Sequence, residues 1–122
     1  MDVQKQTKFE RFENMMLITK EIASKLPALY ENESKTAEEI KVPLKLFNPV
    51  GAGYWYITEM NPETGIMFGW ADLGFGPGCS ELGYIDFNEL KSLRLPLGLS
   101  IERDRHWDGN TTLAQVMNGE RS

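Results

Sequence analysis

Two runs of aromatic and β-branched residues, "GYWYITEM" over 53–60 and "IMFGWADL" over 66–73, are separated only by "NPETG". Nothing else in the chain restricts its folding as strongly. Such runs fit a pleated, half-buried surface. Pro62 presets φ early in the linking turn, and Gly65 is free to take a positive φ. The spacing predicts an antiparallel hairpin. If Asn61 pairs with Ile66, alternation puts Trp55, Ile57 and Glu59 on one face with Phe68, Trp70 and Asp72, and a slip of one residue exchanges the faces of one strand. In either register both faces carry large apolar groups. One face can pack on a helix; the other needs a second cover or is left as a binding surface.

The flanking segments supply those covers. Thr7 and Glu10 have capping-box spacing. Phe9, Phe12, Met16, Ala23 and Leu26 follow at helical intervals, with Ile22 widening the stripe, until Pro27 stops it. A helix is expected over about 8–25, then a polar connector over 28–40. Val42, Leu44 and Leu46 alternate in a strand over 41–47, whose early Pro43 points to a sheet edge. A short strand is expected at 83–85 and a helix over about 87–93 behind Asp86. Beyond a turn at 96–98, an extended run starts at Leu99. Thr112 and Gln115 cap a last helix carrying Leu113, Val116 and Met117. The fold class is α+β: one domain over 1–122, with a small antiparallel sheet of four or five strands. The N-terminal helix packs on one face and two short helices lie at the edge.

Composition narrows function by exclusion. Eighteen acidic residues outnumber 13 basic ones, for a net charge of −5. Nucleic-acid binders normally present a basic face, so nucleic acid is a disfavoured partner, as is an anionic membrane. The carboxylates are scattered among lysines, which reads as a solvated acidic surface rather than a DNA mimic. Cys79 is the only cysteine, so no internal disulfide and no cysteine-based zinc site can form. The longest apolar run near the start is 15–18, which fits neither a signal peptide nor a membrane span. A cytoplasmic protein is expected.

"GWADLGFGPGCSELGYI" over 69–85 packs five glycines and a proline around Cys79. A dinucleotide loop needs glycines at G-x-G-x-x-G spacing opening a helix. Here Gly74, Gly76 and Gly78 are wrongly spaced, Pro77 lacks an amide donor, and a strand follows. No Walker-type motif is present, Cys79 has no basic neighbour to activate it, and no cofactor is indicated. The segment reads as a bent connection between strands.

Two constellations remain. In "SIERDRHWD", strand alternation would put Glu102, Asp104 and His106 on one face, able to ligate a metal or act as acid and base. With one histidine in the chain and metal ligands usually drawn from several elements, a charged strand face is the simpler reading, and no metal site is assigned. Glu59 and Asp72 each end an apolar strand and should be half-buried. With Glu81 they are expected to form a structural polar cluster with Arg103 and Arg105, whose guanidinium groups meet carboxylates bidentately.

Three stretches, "KLFNPVGAGYWYITEM" over 45–60, "GWADLG" with "ELGYI" over 69–85, and "PLGLSIERDRHW" over 96–107, resemble an uncharacterised bacterial family of small proteins known only as a domain of unknown function. The likeness runs in order over about 41–117. It departs in the longer "FGPGCS" link and in Ala71, where many members have Cys, which excludes a catalytic thiol at that position here. The resemblance implies an accessory role on plasmids, phages and other mobile elements. Combined with the residue reading, it gives a non-catalytic protein that binds another protein through the aromatic sheet face around Tyr54, Trp55, Tyr56 and Trp70; a homodimer is another use of that face. The alternative is a small metal-dependent hydrolase or nucleotide-processing enzyme using Glu102, Asp104 and His106.

Overall fold

The computed structural model describes residues 17–74 and 80–119. The Phe9, Phe12 and Met16 stripe, the Thr7 cap and Cys79 lie outside them. In chain order the elements are α1 (Lys20–Lys25), β1 (Leu44–Phe47), β2 (Tyr54–Met60), β3 (Ile66–Asp72), β4 (Ser80–Asp86), α2 (Phe87–Ser92), a 3₁₀ turn (Pro96–Gly98), β5 (Glu102–Arg103) and α3 (Leu113–Met117). The strands form one antiparallel sheet in the order β4-β3-β2-β1-β5. The architecture is α+β.

The central hairpin forms where the sequence places it. The Asn61 amide donates to the Ile66 carbonyl at 2.8 Å, and the Gly65 amide to Asn61 at 2.9 Å. The Asn61 side chain accepts from the Glu63 amide in an Asx turn. Gly65 takes φ 81, and a Cβ there would overlap the Asn88 side chain.

Pairing then departs from simple alternation. Glu59 lies opposite Phe68, but Ile57 lies opposite Gly69, so Thr58 is an extra residue on β2. This β-bulge reverses the parity of everything before it. Trp55 and Ile57 therefore oppose Ala71 and Gly69, while Tyr54 and Tyr56 oppose Asp72 and Trp70. Thr58 is buried, and its hydroxyl donates to the Phe68 carbonyl at 3.1 Å.

Each sheet face has its own core. On the first, Leu44, Leu46, Ile57, Met67 and Ile85 join Leu90 of α2 and Ile101, with Ile22, Leu26 and Trp55 partly buried against them. On the second, Tyr56 packs with Val42, Leu113 and Val116, flanked by Trp70 and Trp107. Each fully buried aliphatic side chain contributes roughly 1.5–3 kcal/mol.

Several boundaries differ from expectation. Helix α1 starts at Lys20, where Thr19 is extended and its hydroxyl accepts from the Ile22 amide, so the described part is not continuous with residues 17 and 18. β1 lies between β2 and β5 rather than at an edge, because Pro43 sits just ahead of the paired stretch. β4 is longer than 83–85, since its glycine and alternating residues pair along all of β3. Helix α3 is not at the sheet edge. It covers the second face, opened by the Thr112–Gln115 capping box. The glycine-rich segment leaves β3 at Asp72 and returns at Ser80, its direct cross-strand partner.

Candidate binding face

The bulge decides which aromatic side chains share a face. Tyr54, Tyr56 and Trp70 lie together on the second face, whereas Trp55 belongs to the first and packs in its core. Tyr56 is only 1% exposed beneath α3. Of the four side chains expected to form a binding surface, Trp55 is therefore on the other side and Tyr56 is covered. Trp70 is partly buried, and its indole Nε1 is buried without a hydrogen-bond partner among the described residues.

Much of the remaining aromatic surface is occupied by the protein itself. Lys45 projects from β1 onto this face, with its ammonium 5.1 Å from the Tyr54 ring centre, 5.7 Å from Tyr56 and 5.3 Å from Trp107. Asp104 Oδ2 accepts from it at 3.3 Å. Rings attract the cation through their quadrupoles. The Trp107 indole is fixed by donation to the Val42 carbonyl at 2.7 Å.

At the other end of the face, near β4, an apolar cleft of about 340 Å³ stays open. Phe68, Leu82 and Leu113 line it, with Tyr30 and Tyr84 as a pair of walls. Their hydroxyls are 3.0 Å apart, and Phe68 meets Tyr84 edge-on at 5.5 Å. Tyr30 is 61% and Tyr84 60% exposed. The hydrogen bond with Tyr30 is the main cause holding the Tyr84 phenol above its usual range, followed by desolvation, the Tyr30 charge and the nearby carboxylates Glu59 and Glu33.

Glu59 anchors the cleft. It is 6% exposed, and its two oxygens accept from the amides of Tyr30 at 2.9 Å and Asn32 at 2.8 Å. These charge-assisted bonds hold the connector against the bulge, with Tyr30 at φ 70. The expected arginine partners are elsewhere. Arg103 sits on β5 facing the first core with Leu46, three strand places from β3 and on the opposite face from Asp72. Asp72 Oδ1 accepts from the Gly74 amide instead, and Glu81 lies on β4 opposite Ala71. The strands that carry Glu59, Asp72 and Glu81 thus hold them apart from Arg103.

Glu102, Asp104 and His106 do not share a strand face either. β5 ends at Arg103, the Asp104 carboxylate accepts from the His106 amide at 2.9 Å, and Trp107 closes the turn on the Asp104 carbonyl. Among the described residues no group of three or more His, Cys, Asp or Glu is gathered as a metal would require.

Tyr30, Leu82 and Tyr84 escaped the sequence reading, which placed Phe68 only as a face residue of the hairpin. Alternation of Leu82 and Tyr84 in a longer β4 was the one available signal. No described helix is long and apolar enough to cross a membrane. No curated protein and no solved structure matches the chain. One family model does, over residues 17–121, starting well before the motifs at 41–117. With that span covering most of its length, the chain belongs to the family described as protein of unknown function (DUF2958).

Proposed function

We propose that this protein is a non-catalytic, cytoplasmic accessory factor of mobile genetic elements that binds another protein through its aromatic sheet face. The contact lies at the Tyr30, Phe68, Leu82 and Tyr84 cleft rather than over Tyr56. One observation carries the reading: this open aromatic cleft adjoins β4, a seven-residue strand at the end of the sheet with no further described strand beyond it. A long edge strand offers unpaired amides and carbonyls to an incoming extended segment. Tyrosine-rich pockets beside it supply side-chain anchors. Glu33 and Glu59 outnumber Lys35 in the lining of the cleft and the chain is acidic, so the fitting partner is an extended segment alternating apolar and basic side chains.

The test is selection of displayed peptides on the intact chain, followed by hydrogen exchange with the enriched sequences. Extended apolar-basic peptides that protect the outward amides of β4 and lose binding to Leu82→Glu support the reading. Equal binding to that variant, or protection elsewhere, overturns it. A concentration-dependent dimer that protects the same amides would identify a second copy as the occupant and overturn the choice of partner.

A further inference from the structure

At the β1–β5 end of the sheet, away from β4, lies a second and chemically different cavity, of about 490 Å³. Its origin is local. β5 ends at Arg103, the Asx turn at Asp104 carries the chain away, and the edge of β1 at Pro43 and Leu44 is left facing α1 across a gap. Gly109 takes φ 79, and a Cβ added there would meet the Pro43 backbone at 3.7 Å.

Five cationic side chains line this gap: Lys25, Lys41, Lys45, Arg103 and Arg105. They are a large share of the 13 that an acidic chain possesses. Three carboxylates accompany them, and each is already engaged. Glu21 meets Lys25 at 3.3 Å, Asp104 meets Lys45 at 3.3 Å, and Asp108 accepts from the Asn110 amide at 2.8 Å. Lys41 and Arg105 have no ion-pair partner among the described residues. Gathering like charges around one concavity raises the local potential, which a bound anion would relieve.

We infer that this cavity binds a phosphate-bearing small molecule of nucleotide size, with Lys41 and Arg105 as its charged contacts. The volume falls in the range of small-molecule sites and far exceeds that of a bare oxyanion. A guanidinium meets phosphate oxygens bidentately, and a lysine adds a compact point charge. The site is independent of the peptide cleft, so neither reading depends on the other.

The test is calorimetric titration of the full chain with ATP, inorganic pyrophosphate and adenosine at low and high salt. ATP and pyrophosphate should bind, adenosine should not, and salt should weaken both. The exposed positions make Lys41→Gln and Arg105→Gln safe for folding, which circular dichroism checks. Each substitution should weaken ATP binding about tenfold, as expected for one lost charge-assisted contact, and Leu82→Glu should leave it unchanged. Absence of ATP binding, undiminished binding in the Lys41→Gln/Arg105→Gln double variant, or adenosine binding as tightly as ATP would overturn the inference.

Discussion

Gly69 and Gly83 face each other across β3 and β4, yet only one of them has room for a side chain. A Cβ on Gly69 would overlap the Tyr56 carbonyl oxygen and crowd the Ile57 backbone, whereas a Cβ on Gly83 would meet nothing. Gly69 sits beside the Thr58 bulge, where the two strands draw together. Gly69→Ala should therefore destabilise by about 3 kcal/mol or more through forced backbone displacement. Gly83→Ala should be neutral or stabilise by up to about 1 kcal/mol by restricting the unfolded chain. Urea denaturation of the two variants checks the contrast; similar losses would contradict the account of the bulge.

Lys45 and Asp104 form the polar centre of the ring cluster. Removing the carboxylate with Asp104→Asn leaves an ammonium that is mostly screened from water by Tyr54, Tyr56 and Trp107. The expected loss is about 1–3 kcal/mol, less than for a fully enclosed pair because both groups retain some solvent contact. Lys45→Met should cost less than Asp104→Asn, since it leaves no uncompensated cation. A double-mutant cycle should return a coupling of at least about 0.5 kcal/mol; a value near zero would mean that the pair is incidental.

Glu59 holds the connector through two amides rather than through a cation. Glu59→Gln replaces one acceptor oxygen by a donor and leaves either the Tyr30 or the Asn32 amide unpaired. A destabilisation of about 1–3 kcal/mol is expected, with hydrogen exchange accelerating at these two amides more than in β3. Unchanged exchange at residues 30 and 32 would show that the loop does not depend on this carboxylate.

The tyrosine pair at the cleft should be visible in its titration. The hydrogen bond between the Tyr30 and Tyr84 hydroxyls, desolvation and the neighbouring negative charges all favour the neutral Tyr84 phenol. Any stability from this raised pKa is present below the unfolded tyrosine value and is lost as pH rises through the folded one. Tyr84 should ionise above an ordinary tyrosine by ultraviolet absorbance, and Tyr30→Phe should bring it back toward the usual value. No difference between the two proteins would remove the hydroxyl contact from the description of the cleft.

The local signals were legible in the chain because local chemistry is enough to produce them. Asn61, Pro62 and Gly65 make a turn, and Asp86 and Thr112 cap helices through their own next few residues. Alternation likewise put Leu44 and Leu46 on one face, although Val42, read in the same series, packs in the other core. The face on which each aromatic lies was another matter. One extra residue at Thr58 reverses β2, and the bulge is held by groups distant in sequence: the Asn32 side chain on the Thr58 carbonyl, and Glu59 on the amides of 30 and 32. The same holds for the two candidate sites. Lys45 fills the aromatic cluster because Asp104 and Trp107 return beside β1, and the cations meet only because β5 stops after Arg103. Periodicity records what each strand prefers, and only packing between distant segments decides where the period breaks and which surface is left for a partner.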